Sequence, residues 1–249
     1  MKDSIVYALD FDGVICDSAI ETAIAGWKAA CQLWGDMPAE VPPEHVEAFR
    51  QVRPIIETGY EAVLAMRMLH QGASVPNLCD TYTREFPRLM AQVGIDSEGL
   101  KTLFGATRDA WIAEDGAGWV SENPLYPGVA EKLTKLGETR EWYIATTKQE
   151  RFVEMIFKAN GIELDAERIY GLDRNIGKGE VLKLLLERHP GQMIQFVEDR
   201  FLTLQKAAEL AELAPVQMVF ALWGYSSEED KRLAQVHGFA CQPLDQFLS

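Results

Sequence analysis

The sequence predicts an α/β protein: a parallel sheet with helices on both faces, interrupted after its first strand by a large helical insertion. Three observations predict it. The chain opens on an apolar run, Ile5-Val6-Tyr7-Ala8-Leu9, with the length and β-branched content of a strand buried on both faces. From Trp142 onward, short apolar runs alternate regularly with helix-length amphipathic segments, the pattern of parallel strands joined by helical crossovers. Between these regions, residues 18–123 carry helical apolar spacing and no strand-like run. The expected organisation is an α/β domain of residues 1–17 and 124–249, with residues 18–123 as an inserted helical domain.

Each element has its own warrant. In 19–34 the apolar positions Ile20, Ala23, Ile24, Trp27, Ala30, Cys31 and Trp34 fall at helical spacing, and Gly35-Asp36-Met37-Pro38 ends the helix. Pro42-Pro43-Glu44 opens the next element. Residues 46–52 read as helix until Pro54, which breaks or kinks it. The pattern resumes over 55–69, and two further helices follow at 78–93 and 97–114, separated by Gly94-Ile95-Asp96. Asp115-Gly116-Ala117-Gly118 reads as a bend, and Asn123-Pro124-Leu125-Tyr126-Pro127-Gly128 as a turn cluster. The alternating region then reads as helix 129–136, strand 142–146, helix 149–160, strand 168–171 and helix 178–188. It continues as strand 193–197, helix 202–213, strand 216–223 and helix 228–237, with a short tail. No internal repeat and no low-complexity segment is present.

Composition narrows the function. Hydrophobic residues make up 47% and charged residues 25%, ordinary for a globular protein, and 249 residues suffice for a full core. A formal net charge of −14 argues against binding nucleic acid through a broad basic surface, and against docking on an anionic membrane. It leaves room for a small phosphorylated substrate, because local charge at a site matters more than the total. Cys16, Cys31, Cys79 and Cys241 are scattered without zinc-type spacing, so free thiols in a reducing compartment are expected. Met1-Lys2-Asp3-Ser4 leads straight into the first strand with no room for a signal peptide, and no apolar run approaches a membrane span. A cytoplasmic enzyme is the expectation.

In an open parallel sheet, ligands sit beyond the carboxyl ends of the strands. Here the first strand ends at Asp10 and Asp12, whose side chains point the same way if the backbone stays extended, and Gly13 lets the chain turn away. Two carboxylates on one face call for a bound cation or a shared proton, hence a Mg²⁺ site or an acid/base pair. The strand 142–146 runs out at Thr146-Thr147-Lys148, and the strand 193–197 at Glu198-Asp199. Lys178 opens the helix after the intervening strand, between Gly177 and Gly179. Carboxylates, a hydroxyl and a lysine converging on one sheet edge fit phosphoryl transfer.

These residues also carry a family resemblance. Asp10-Phe11-Asp12-Gly13-Val14 resembles the first signature of the haloacid dehalogenase-like (HAD) hydrolase superfamily. Thr146 resembles its second signature, Lys178 its third and Glu198-Asp199 its fourth. Leu125-Tyr126-Pro127-Gly128 is similar to the segment where such chains return from an inserted cap. The resemblance covers residues 1–17 and roughly 125–225, and points to the helical-cap branch that includes phosphoglycolate phosphatases and β-phosphoglucomutase. It implies a Rossmann-like core and a Mg²⁺-dependent phosphatase acting on a small phosphorylated metabolite. Asp10 is then the nucleophile that carries an aspartyl-phosphate, and Asp12 the general acid and base. Thr146 and Lys178 hold the phosphoryl oxygens, and Asp10, the Asp12 backbone carbonyl and Asp199 hold the metal. Glu198 replaces the glycine common at this point and joins the candidate metal ligands. The second aspartate, Asp12, argues against dehalogenase and phosphonatase chemistry.

Lys148 rivals Lys178, and Lys178 is preferred for its place at the start of a helix. Substrate recognition is assigned to Thr147 and, in the insertion, to Arg53 and Glu57, where Pro54 and Gly59 interrupt a helical run. Trp27, Trp34, Trp111 and Trp119 read as core of the insertion, and the four histidines receive no catalytic role. A phosphomutase of the β-phosphoglucomutase type stays compatible with the same residues. A non-catalytic HAD-like binding protein, or a helical interaction module, remains a lesser alternative.

Overall fold

The structure, a computed structural model, describes residues 5–249. The expectation for Met1 to Ser4 lies outside the described residues. The chain divides into two compact units, one of residues up to Asp17 with Pro124–Ser249 and one of Ser18–Asn123.

The α/β unit begins with strand β1 (Ile5–Leu9). The helical unit that follows contains α1 (Ala19–Leu33), α2 (Pro43–Val52), α3 (Ala62–His70), α4 (Val75–Val93) and α5 (Ser97–Ser121). Its core includes Trp27, Phe49, Val52, Leu64, Met66, Leu78, Leu89, Leu100 and Phe104, with Trp34 and Trp111 packed around it. Histidines 45 and 70 stand edge-on to Trp27, so the tryptophan is core rather than part of a ligand cage. A buried polar cluster ties α1 to α5. Glu21 accepts Arg108 Nε–H at 2.7 Å and Trp119 Nε1–H at 3.0 Å, and pairs with a second Arg108 nitrogen at 2.5 Å. A fully buried carboxylate is tolerable because its oxygens meet this guanidinium fork and an indole N–H.

Two expectations for this unit are corrected. The run over 55–69 is not one helix: 3-10 turns at Arg53–Ile55 and Gly59–Glu61 precede α3. Glu61 accepts the backbone N–H groups of Glu57 and Thr58, and Arg53 donates to the Ile56 carbonyl at 3.0 Å, so side chains satisfy the groups a helix would have paired. Nor does the helix starting at Ser97 stop at Glu114. Asp115 leaves helical geometry (φ −147°, ψ 76°), but its carboxylate accepts the Gly118 N–H at 2.8 Å and restarts the helix as far as Ser121.

The α/β unit resumes with α6 (Val129–Thr139), β2 (Glu141–Ala145), α7 (Glu150–Ala159), β3 (Ile169–Tyr170), α8 (Lys178–Arg188) and β4 (Met193–Glu198). It continues with α9 (Phe201–Ala208), β5 (Val216–Ala221), α10 (Glu228–Val236), β6 (Ala240–Gln242) and α11 (Leu244–Leu248). The six strands form one sheet in the order β3-β2-β1-β4-β5-β6, with every pairing parallel. Strand β1 is central, which explains its continuous apolar run. Val6, Ala8, Tyr143, Ile194, Phe196, Met218 and Phe220 on one face pack with Val181, Leu182 and Leu185 of α8 and Phe201 and Leu204 of α9. On the other face Trp142 meets Phe157 of α7, which also meets Phe11, with ring centroids 5.9 and 5.4 Å apart. The architecture is the expected α/β sheet.

The tail is more structured than expected, because β6 and α11 occupy it. The helix expected over 202–213 ends at Ala208 and gives way to a 3-10 turn at Ala211–Leu213. His189 caps the C-terminus of α8 and lies buried, with its Nε2 2.8 Å from the Tyr143 hydroxyl. All four cysteines are free. Among the described residues no helix is long and apolar enough to cross a membrane.

Candidate active site

The carboxyl edge of the sheet collects the predicted residues of the α/β unit. The ladder between β1 and β4 continues past the strand end, where the Asp10 N–H donates to the Val197 carbonyl at 2.9 Å. The Thr146 N–H likewise donates to the Tyr170 carbonyl at 2.9 Å. The side chains that follow therefore start from fixed backbone.

Asp10, Lys178 and Glu198 form one cluster. Lys178 Nζ lies 2.8 Å from Asp10 Oδ1 and 2.6 Å from Glu198 Oε2. Asp10 Oδ1 also accepts the Phe11 N–H at 2.8 Å, and Glu198 Oε1 accepts the Arg200 N–H at 3.1 Å. Lys178 reaches them because α8 starts at that residue, just past its glycine cap. Burial, reinforced by the charge of Glu198, pushes the Asp10 carboxyl up to about 7 from an ordinary 3.8, against the opposing pull of Lys178. Burial also raises Glu198, with Lys178 opposing it. For Lys178, burial acts downward, but Asp10 and Glu198 outweigh it and hold the ammonium above its usual range.

Asp199 completes an acidic group. Carboxylate oxygens of Asp10, Glu198 and Asp199 lie within 4.8 Å of one another, and all three residues are buried. Three buried carboxylates against one lysine leave an excess of negative charge that a hard cation would relieve, and an all-oxygen donor set suits Mg²⁺. The surrounding backbone is shaped to this acid. Gly13 has φ +89°, and a Cβ there would stand 2.0 Å from Asp199 Oδ2, while a Cβ on Gly224 would stand 2.3 Å from Asp199 Cβ. Tyr225 N–H donates to Asp199 Oδ2 at 2.6 Å, and its hydroxyl donates to Asp17 at 2.8 Å. Trp223 Nε1–H donates to the Val14 carbonyl at 3.0 Å. The loop Trp223-Gly224-Tyr225 thus closes over the turn after β1. Strand β5 ends at Ala221, short of the expected Trp223, because the chain turns there to bring Tyr225 onto Asp199. A glycine flanked by aromatics directly after a strand was the available signal.

Asp12 faces a different lysine. Lys148 Nζ lies 3.1 Å from Asp12 Oδ1, so both rival lysines meet a carboxylate that follows β1, Lys178 on Asp10 and Lys148 on Asp12. Thr146 is buried, and its hydroxyl oxygen accepts the Lys148 N–H at 3.1 Å. It does not cap α7, whose cap residue is Gln149. Thr147 is half-buried in the same loop. Arg53 and Glu57 belong to the helical unit, where Arg53 is buried and Glu57 exposed.

No family model matches the sequence, and a search of curated proteins found no significant match. Solved structures do resemble it. One, described as a predicted phosphoglycolate phosphatase from Haemophilus somnus, superposes with a TM-score of 0.60 at 17% identity, covering 99% of this chain and 95% of that one. A haloacid dehalogenase-like hydrolase from Streptococcus pneumoniae gives 0.59 at 17% identity, covering 98% and 95%. A HAD family hydrolase from Deinococcus radiodurans, with bound phosphate and sodium, gives 0.51 at 17% identity, covering 96% and 89%. Across nearly its whole length, this chain has the fold of the haloacid dehalogenase-like hydrolases.

Proposed function

We propose that this protein is a metal-dependent phosphatase of the HAD type, hydrolysing a small phosphorylated metabolite through an aspartyl-phosphate on Asp10. The observation that carries the reading is the state of Asp10. It is buried at the end of the central strand, oriented by the Phe11 N–H and Lys178, and grouped with Asp199 and Glu198. A carboxylate so held is suited to attack phosphorus. The bound phosphate of the Deinococcus radiodurans neighbour supports a phosphate site on this fold.

In the proposed reaction an Asp10 oxygen attacks phosphorus, and the bond from phosphorus to the ester oxygen breaks. Asp12 gives its proton to the departing oxygen. Water then loses a proton to Asp12 and attacks phosphorus, which breaks the bond to Asp10 and frees phosphate. Lys178 keeps Asp10 oriented and, with the Thr146 hydroxyl, stabilises charge on the phosphoryl oxygens. Asp10, Asp199 and the Asp12 backbone carbonyl would hold Mg²⁺. Glu198 is the fourth acid, its oxygens also serving Lys178 and the Arg200 N–H. When bound, the ion offsets repulsion between anionic nucleophile and anionic phosphate. Thr147, half-buried in the loop that carries Thr146, is assigned to recognition of the substrate. A cytoplasmic location goes with this reading.

Phosphate release from a panel of phosphorylated metabolites and p-nitrophenyl phosphate, with and without Mg²⁺, tests it. Release that requires Mg²⁺ supports the reading, and a folded, metal-loaded protein that releases none contradicts it. Transfer of the phosphoryl group back to a sugar phosphate rather than to water would mark a phosphomutase.

A further inference from the structure

Lys148 is a lysine of the α/β unit that the proposed phosphoryl chemistry does not use, yet it is buried, its side chain 1% exposed. Burying an ammonium is costly unless a charge partner compensates. The partner here is Asp12, whose Oδ1 lies 3.1 Å from Nζ. Both ends of the pair stand on pinned backbone. The Lys148 N–H donates to Thr146 Oγ at 3.1 Å and its carbonyl accepts the Leu172 N–H at 3.0 Å. Around Asp12, the Cys16 N–H donates to the Phe11 carbonyl and the Gly13 N–H to the Cys16 carbonyl, each at 2.9 Å. The ammonium also lies 5.8 Å from the centre of the Phe11 ring, an apolar wall that strengthens the ion pair.

An aspartate's carboxylate plane turns about a broad, two-fold torsion. One strong contact on Oδ1 fixes that plane, and with it the direction of the other oxygen. A general acid needs such control, because proton transfer requires an oxygen within about 2.6–3.2 Å of the departing atom. We propose that Lys148 is a positioning residue for Asp12: its contact on Oδ1 fixes the plane of the carboxyl group, so that when Asp12 is protonated the other oxygen is turned to pass its proton to the leaving group. This rests on the phosphatase reading and on Asp12 as the proton carrier.

Activated aryl esters leave without protonation, whereas alkyl phosphates need it. The experiment compares kcat/KM of the wild type, Lys148→Met and Lys148→Arg on p-nitrophenyl phosphate and on alkyl phosphates of rising leaving-group pKa. Lys148→Met is expected to lose about 10–100-fold on alkyl esters and far less on the aryl ester, with partial recovery in Lys148→Arg. In an Asp12→Asn background Lys148→Met should add no further loss. Should Lys148→Met fail to fold, judged by its thermal melt, Lys148→Gln and Lys148→Arg read the same selectivity.

A uniform loss across all esters, with a raised inhibition constant for inorganic phosphate, would instead make Lys148 a phosphate-gripping group and overturn the inference. So would an undiminished alkyl rate, or an equal loss in the Asp12→Asn background. Wild-type protein that releases phosphate from no ester would be a failure of the phosphatase reading itself. An active wild type with unchanged selectivity in the variants would be a failure of this inference alone.

Discussion

Glu198 and Lys178 form an ion pair 2.6 Å long in which the carboxylate is wholly enclosed, and the same ammonium reaches Asp10 at 2.8 Å. The lysine is therefore held from one side by an acid assigned no chemical step, and presented on the other to the proposed nucleophile.

Removing either partner should separate their roles. Lys178→Met takes away a charge beside the phosphoryl oxygens and should lower kcat by about 10²–10³-fold. Glu198→Gln keeps the shape but releases the lysine, and should cost about 10–100-fold. Steady-state kinetics on one good substrate checks both. A Glu198→Gln enzyme as active as the wild type would remove Glu198 from the account.

The Asp10 carboxyl predicts a pH-dependent stability. In the unfolded chain it loses its proton near 3.8, whereas in the metal-free fold it keeps it until about 7. Its contribution is thus neutral at low pH, turns unfavourable as pH rises from about 4 to 7, and stays unfavourable above. The cost is on the order of 4 kcal/mol. Asp10→Asn should raise the Tm of metal-free protein at pH 8 and leave it nearly unchanged at pH 4. Mg²⁺, which competes with the proton for this cluster, should raise the wild-type Tm more at pH 8 than at pH 5. Thermal melts across pH with and without metal decide it.

Gly13 and Gly224 stand where a side chain would displace Asp199. Gly13→Ala adds backbone strain at φ +89°, and Gly224→Ala pushes on the Asp199 Cβ itself. Each should weaken Mg²⁺ binding by about 10–100-fold, measured by titration calorimetry. Unaltered affinity in both would show that Asp199 is not a ligand.

In the helical unit, Glu21→Ala should destabilise by about 3–5 kcal/mol, since it strands a buried Arg108 guanidinium and a Trp119 N–H. Replacing Glu21 and Arg108 together by Leu and Met should cost less than Glu21→Ala alone. Denaturant unfolding of the three variants measures this coupling.

What the sequence made legible follows from local physics. The β1 run stands out because a central parallel strand is apolar on both faces, and its terminal aspartates mark the ligand edge. Lys178 is readable because it opens a helix directly after a glycine. Strand β6 was not, because Ala240–Gln242 lies at the sheet margin, half-exposed and without an apolar run. The break at 53–61 is signalled by Pro54 and Gly59, but its form depends on Glu61 and Arg53 satisfying backbone groups. The partnership of Lys148 with Asp12 spans 136 residues and exists only once β1 and β2 pair. The same holds for Tyr225, whose place beside Asp199 is purely tertiary.

The proposed reaction requires Asp10 to become phosphorylated during turnover. The direct test is to quench the enzyme during turnover of its best substrate, reduce with borohydride, and map the peptides by mass spectrometry. A carboxyl phosphate is reduced to the alcohol, so Asp10 should be converted to homoserine in the wild type. Asp10→Asn should show neither conversion nor phosphate release. Sustained phosphate release with Asp10 unmodified, or undiminished release by Asp10→Asn, would contradict the account.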